Sequence, residues 1–196
     1  MRLIVLPLVG YLLGSLSSAV LVSRLMRLPD PRQAGSGNPG ATNVLRLGSK
    51  SAAALTLLGD VLKGVIPVLI ARAIDNDPLV IVLTGLGAFL GHLFPLFFGF
   101  AGGKGVATAL GVFLALDPLV AAAQVTVWIL TALIFRYSSL AAVTAAVTTP
   151  VMLALRAADY SVTCFGVIID VLLVYRHRGN IDRLRSVSES RIRLKR

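Results

Sequence analysis

Apolar residues in this chain gather into long blocks separated by short polar links. The blocks cover residues 3–22, 51–73, 79–98, 106–116, 119–135, 139–155 and 161–175. A membrane-spanning helix needs about 20 mostly apolar residues. Six blocks meet or approach that length, and 106–116 is too short to cross unaided. The pattern predicts an all-α integral membrane protein with seven transmembrane helices in one polytopic domain over 1–196. The first block, with Arg2 ahead of it and small residues at Ser15, Ser17 and Ala19, has some look of a leader peptide. It continues to spanning length and further spans follow, so it reads as a span. Gly10, Gly14 and Ser17 fall near one face of it, a small-residue stripe that lets another helix approach.

The composition agrees with lipid as the solvent. Hydrophobic residues make up 56% and charged residues 14%, with mean hydropathy +0.85. Soluble proteins average about 45–50% apolar and about 25% charged. A large soluble domain is thereby excluded. The formal net charge of +10 would suggest nucleic acid in a soluble protein. Here the basic residues lie between apolar blocks and in the tail, where anionic headgroups and anionic substrates are the fitting partners. The lone Cys164 forms no intramolecular disulfide and reads as a small buried hydrophobe.

The basic residues also orient the chain. Alternating links place Arg24, Arg27, Arg32, Arg46, Lys50, Lys104, Arg136 and the basic tail on one side. Arg2, Arg72 and Arg156 fall on the other, with Asp75, Asp77, Asp117 and Asp159. The positive-inside rule then puts the N-terminus outside and the C-terminus in the cytoplasm. The cytoplasmic segments are about 26–50, 99–105, 136–138 and the tail 176–196. No internal repeat is evident.

Three of those segments carry chemistry. Residues 35–46 read Gly-Ser-Gly-Asn-Pro-Gly-Ala-Thr-Asn-Val-Leu-Arg. Successive amides of Gly35, Ser36 and Gly37 can form an anion-binding nest, Ser36, Asn38, Thr42 and Asn43 add donors, and Arg46 can grip a phosphate bidentately. Residues 102–105, Gly-Gly-Lys-Gly, set Lys104 among Gly103 and Gly105 in a phosphate-cradle composition. The spacing is not that of a Walker A loop, and no strand precedes it. In Tyr175-Arg176-His177-Arg178-Gly179-Asn180, the two arginines disfavour a charged His177 and so favour a general base. Asp60 and Lys63, one turn apart inside a span, form either an ion pair or part of the site. His92 is expected to hydrogen-bond another helix. Asp170 has no evident partner. His177 and Asp182 match a His-x4-Asp acyltransferase spacing, but point about 140° apart on a continuous helix, and the match reads as chance.

Taken together, Gly-Ser-Gly-Asn-x-Gly-Ala-Thr-Asn-Val-x-Arg (35–46), Gly-Asp-x-x-Lys-Gly (59–64), Gly-His-x-x-Pro-x-x-x-Gly-Phe-x-Gly-Gly-Lys-Gly-Val-Ala-Thr (91–108) and Tyr-Arg-His-Arg-x-Asn (175–180) closely resemble the bacterial integral-membrane acyl-phosphate:glycerol-3-phosphate acyltransferases of the PlsY type. The resemblance runs over nearly the whole chain. It implies transfer of a fatty acyl group from acyl phosphate to the 1-hydroxyl of sn-glycerol 3-phosphate. The products are lysophosphatidic acid and phosphate, in the first step of phospholipid synthesis. It further implies a bacterial cytoplasmic membrane, a site at the cytoplasmic face, and no metal, coenzyme A or other cofactor.

By the same resemblance, Ser36 and Gly37 hold the acyl phosphate, and Arg46 and Lys104 hold phosphates and stabilise developing charge. His177 and Asn180 orient glycerol 3-phosphate, with His177 or a substrate phosphate oxygen taking the proton. Asp60, Lys63 and Thr144 are candidate supporting residues. Three positions depart from the family pattern: Gly179 where an acid is expected, Ala142 where a serine is expected (with Thr144 nearby), and Asp170 where a small or apolar residue is expected. The competing function is a transporter or flippase for a phosphorylated small molecule or lipid, which glycine-broken helices and intramembrane charges would suit. The clustering of motifs on one face and the lack of repeats count against it. Oligomeric state is not readable from the small-residue stripes.

Overall fold

The computed structural model describes residues 1–156 and 158–192, and every regular element among them is helical. Residues 193–196 of the basic tail lie outside the described residues. The sequence reads as one domain; the backbone divides into two compact units, Met1–Leu116 and Asp117–Arg196.

The first unit contains α1 (Arg2–Gly14), α2 (Ser18–Leu25), α3 (Ala41–Arg46), α4 (Lys50–Ile74), α5 (Pro78–Leu93), a 3-10 turn (Leu96–Phe98) and α6 (Val106–Leu116). The first apolar block, expected as one helix, breaks at Ser15–Ser17. Ser15 turns its hydroxyl back onto the Tyr11 carbonyl at 2.8 Å, a local bond that competes with helix continuation. The break frees the Leu16 carbonyl, and Lys63 of α4 donates its ammonium to it at 2.9 Å. An unpartnered carbonyl in hydrocarbon would cost several kcal/mol, so the break and the intramembrane lysine answer each other.

Two close helix crossings build this unit. A Cβ at Gly10 or Gly14 of α1 would collide with the carbonyls of Thr84 and Ala88 in α5, and one at Gly87 or Gly91 of α5 with those of Pro7 and Tyr11. The small-residue stripe read from the sequence thus meets a second stripe on α5, and the van der Waals contact of bare backbones holds them. Residue numbers rise together on both helices, so α1 and α5 run parallel. The second crossing repeats the device: Gly64 of α4 lies against the Thr108 carbonyl of α6, and Gly111 of α6 against that of Val61. Further along, Arg72 of α4 donates to the carbonyls of Ala115 and Leu116 and closes the C-terminus of α6. So α4 and α6 are also parallel.

The second unit contains α7 (Pro118–Phe135), α8 (Ser138–Val147), α9 (Thr149–Leu155), α10 (Tyr160–Arg176) and α11 (Arg178–Arg185). The block 139–155, expected as one helix, is interrupted at Thr148, with Pro150 in the first turn of α9. Beyond Arg176 the axis bends by 56° into α11.

The acidic links have a local role that the charge pattern alone did not suggest. Asp77, Asp117 and Asp159 each cap the helix that follows, accepting from the amides of Leu79, Leu119 and Ser161 at 2.8–2.9 Å. Proline after the first two preorganises the opening turn. Cys164, expected to be buried, is half-buried on α10.

Among the described residues, five helical stretches are long and apolar enough to cross a membrane: Arg2–Leu25, Lys50–Ile74, Pro78–Phe98, Pro118–Phe135 and Ser138–Leu155. The bent α10–α11 pair would make a sixth, and α6 is a shorter apolar helix of 11 residues. Leu55, Leu58, Leu62 and Leu69 on α4, and Leu130, Leu133 and Ile134 on α7, remain exposed. Stripes of this kind suit a multi-pass protein whose solvent is lipid.

Candidate functional site

In the first unit, the loop 30–40 is folded around one buried side chain. Asn43 of α3 is 1% exposed. Its Oδ1 accepts from the Ser36 amide at 2.8 Å, and its Nδ2 donates to the carbonyls of Pro31 at 2.8 Å and Ala34 at 3.0 Å. Gly35 sits at φ 64, where a Cβ would also strike Oδ1 of Asn43. Only glycine suits both demands. Asn43, expected among the phosphate donors, instead commits both amide hydrogens to loop carbonyls and acts as the pin of the loop. Ser36 and Gly37 are exposed, as is Arg46 at the end of α3; Asn38 is half-buried.

The base of this loop is ionic. Arg32 pairs with Asp30 at 2.6 Å and also donates to the Phe98 carbonyl at 3.4 Å. The Arg32 hydrogen bonds hold the Asp30 carboxyl below its ordinary value.

A second group in the same unit joins α4 and α5 to the lysine loop. Lys63 and Asp60 form the expected pair at 2.9 Å. His92 of α5 brings Nδ1 to 3.6 Å from the same Asp60 oxygen, an interhelical approach longer than the hydrogen bond expected of it. All three side chains are buried. On the other side of His92, its carbonyl accepts from the Gly103 amide at 3.1 Å. The imidazole fills the space a Cβ at Gly103 would need. Gly105, at φ 85, opens α6 against the ring of Phe89. Lys104, half-buried, is thus carried between two glycines that are each wedged against a side chain of α5. The glycines that read as a phosphate cradle are also required by packing.

In the second unit, His177 occupies the bend between α10 and α11 and is 3% exposed. Its Nδ1 lies 2.8 Å from the Leu173 carbonyl. A carbonyl only accepts, so Nδ1 carries the hydrogen and Nε2 is the basic nitrogen of the neutral ring. Asn180 follows one turn on, its amide donating to the His177 carbonyl at 2.8 Å.

Sequence reading missed what holds Asn180. Its Nδ2 donates to Glu189 Oε1 at 2.7 Å, Ser139 Oγ donates to the same oxygen at 2.9 Å, and Arg183 Nε donates to Oε2 at 2.7 Å. Burial favours the neutral form of Glu189, but the bonds from Arg183, Asn180 and Ser139 outweigh it and hold the carboxyl below its ordinary value. The carboxylate expected at position 179 is absent, and one reaches Asn180 from the tail instead. A signal was present: Glu189 is the chain's single glutamate, set in a basic segment.

Other candidates lie apart from these groups. Thr144 is half-buried on α8, and the hydroxyl of α8 that joins the cluster is Ser139. Asp182 is exposed on α11. Asp170 lies against Thr149, which accepts from Gln124 at 2.8 Å. Among the described residues, no three His, Cys, Asp or Glu side chains gather as metal ligands.

The protein is thus a helical membrane protein with buried or half-buried polar groups around Asn43, Lys104, His177 and Asn180. Comparison with known proteins gives the family. The profile of the glycerol-3-phosphate acyltransferase family matches residues 4–187. Proteins named glycerol-3-phosphate acyltransferase from Halorhodospira halophila and Thioalkalivibrio sulfidiphilus are each 54% identical, over 96% and 93% of this chain and 96% and 90% of theirs. Among solved structures, the crystal structure of PlsY (YgiH), an integral membrane glycerol 3-phosphate acyltransferase, in its glycerol 3-phosphate form, is similar with TM-score 0.94 and 42% identity. That match covers 98% of this chain and 96% of the other. Its lysophosphatidic acid form is similar with TM-score 0.91, over 97% and 95%. The chain belongs to the glycerol-3-phosphate acyltransferase family.

Proposed function

We propose that this enzyme transfers a fatty acyl group from acyl phosphate to the 1-hydroxyl of sn-glycerol 3-phosphate. The hydroxyl oxygen attacks the acyl carbon, the acyl–phosphate bond breaks, and lysophosphatidic acid and inorganic phosphate result. The observation that carries this reading is agreement over nearly the whole chain with a PlsY structure in its glycerol 3-phosphate form. Acyl phosphate is already activated, so the protein's task is to position the reactants and stabilise charge. No metal or coenzyme A is needed.

Each polar group has a part in this reading. Ser36, Gly37 and Asn38 present donors on a loop shaped by Asn43 and Gly35. Arg46 and Lys104 hold phosphates and stabilise the charge of the leaving group. Asn180 and His177 orient glycerol 3-phosphate, with Nε2 of His177 or a phosphate oxygen receiving the hydroxyl proton. Asp60, Lys63 and His92 act behind Gly103 as support for the Lys104 segment.

We place seven spans in a bacterial cytoplasmic membrane, N-terminus outside and the reacting groups at the cytoplasmic face. The parallel run of α1 with α5 and of α4 with α6 supports an alternating path in which α6, though short, follows the direction of α4. The distribution of Lys and Arg supports the orientation.

The test is direct. Purified protein in detergent is mixed with glycerol 3-phosphate and palmitoyl phosphate, with palmitoyl-coenzyme A as a parallel donor. Lysophosphatidic acid and phosphate are measured. Product from palmitoyl phosphate alone is expected; product only from the thioester would overturn the donor assignment, and no product from either would overturn the reaction.

A further inference from the structure

We propose that Glu189 is a positioning residue for Asn180, turning its carboxamide so that Oδ1 is the atom presented to a hydroxyl of glycerol 3-phosphate. The inference rests on the reading of Asn180 given above. It begins with what a carboxylate can do. An ionised glutamate only accepts, so a carboxamide beside it must turn its NH2 group inward. Asn180 Nδ2 lies 2.7 Å from Oε1, and the opposite edge of the amide is then an acceptor by construction. A substrate hydroxyl meeting that edge donates its hydrogen, which also fixes how its lone pairs point.

The tail is built to hold Glu189 in place. Its carboxylate is 4% exposed and receives Ser139 from α8 and Arg183 from α11 as well as Asn180. The amides of Ser188 and Glu189 both donate to the Arg183 carbonyl, at 2.8 and 3.1 Å. Three residues on, the chain is tied again. The Ile192 amide donates to the Arg136 carbonyl at 2.7 Å, and the Arg136 guanidinium returns to the Ile192 carbonyl at 3.1 Å. Arg191 donates to the Tyr137 hydroxyl at 3.1 Å. A basic tail serving only as a headgroup anchor needs none of these bonds. Residues 186–192 form a strap between α11 and the α7–α8 turn, and the one acid in the strap meets Asn180.

The test is a kinetic cycle on the full chain in detergent, comparing wild type, N180A, E189Q, E189D and the two double variants. Removing an ionic hydrogen-bond partner is on the scale of about tenfold. E189Q is expected to raise the KM for glycerol 3-phosphate about tenfold and to leave that for palmitoyl phosphate unchanged. E189D, which keeps the charge but draws back from the amide, should show a smaller rise. In the N180A background both substitutions should add less than about twofold, because the residue they act through is gone. An impaired N180A with an unchanged E189Q, or with equal effects of E189Q in both backgrounds, would overturn the proposal alone. A rise in both KM values together would do the same, marking a merely structural role. A fully active N180A would overturn the site reading and the proposal with it. Should E189Q fail to fold, the E189D cycle decides by the same criteria.

Discussion

The two units hold their functional segments in opposite ways. In Met1–Leu116 the Asp30–Arg32 and Asp60–Lys63 ion pairs lie behind the loops, but the glycines themselves are placed by shape and neutral bonds: Asn43 pins the Gly35–Gly37 loop, and Gly103 and Gly105 are wedged against His92 and Phe89. In Asp117–Arg196 the segment around Asn180 is fixed by charge, through Glu189, Arg183 and a folded-back tail. A loop meant to approach a phosphate gains from bare backbone, and bare backbone is fixed best by close packing. A segment meant to present side chains to a polyol needs those side chains oriented, and an ionised partner does that with direction. The contrast predicts that the first unit fails by steric change and the second by loss of charge.

The largest effects do not separate the units but test the chemistry in each. Lys104→Ala and His177→Ala should each lower turnover by at least about 100-fold, the scale of losing a charge-stabilising or acid–base group. Steady-state rates with palmitoyl phosphate measure this, and near wild-type turnover in both would refute the assignment.

Next, one methyl group should break the first unit and spare the second. Gly103→Ala drives a Cβ into the His92 ring, an overpacking cost of about 1–3 kcal/mol, seen as a lower thermal midpoint in detergent together with lost activity. Gly179→Ala meets nothing closer than Arg183 Nη1 at 3.7 Å. It should be neutral or stabilising by up to about 1 kcal/mol. Similar behaviour of the two variants would remove the distinction drawn here.

Asn43→Asp is a finer probe. It keeps the acceptor for Ser36 but removes both donors to Pro31 and Ala34, with an expected loss of about 1–3 kcal/mol. Activity should fall. The new carboxyl would be buried against the Pro31 and Ala34 carbonyls, which disfavour its charge, so the loss should grow as pH rises above the ordinary carboxylate range.

The smallest expected effect is a pH dependence in the second unit. The folded-state pKa of Glu189 lies below its ordinary 4.5, so its contribution to stability is present above that value. It is lost as pH falls through the lowered folded-state value. The stability gap between wild type and E189Q should therefore be constant near neutrality and narrow as pH falls below the ordinary 4.5 of a glutamate. A gap with no pH dependence down to acid unfolding would mean the carboxylate's charge is not what holds the strap.

Much of this was legible in the chain. Apolar block length located the long apolar helices, because lipid forces a continuous apolar run onto any spanning helix, but not α3 or α11, which lie in polar segments. The Gly10/Gly14 stripe announced a close crossing, and the Asp60/Lys63 spacing announced an ion pair. The breaks at Ser15–Ser17 and Thr148 were not legible. Both lie inside runs apolar enough to continue, and the first depends on a lysine 47 positions away in sequence. Asn43 was noticed for its hydrogen-bonding capacity, but the direction in which it spends that capacity depends on the fold. Glu189 was missed because a long-range contact from a tail has no periodicity to betray it.

The bond from Lys63 to the Leu16 carbonyl bears on how the protein is made. On a biological insertion scale a centrally placed Asp or Lys costs about 2.5–3.5 kcal/mol, so α4 is a poor candidate to enter the bilayer by itself. The segment before it would enter with an open carbonyl at its break. Each defect is what the other repairs, and Asp60 neutralises the lysine on the same helix. The first 74 residues should therefore leave the translocon as a helical hairpin, with the break and the lysine already joined, before α5 arrives to add His92.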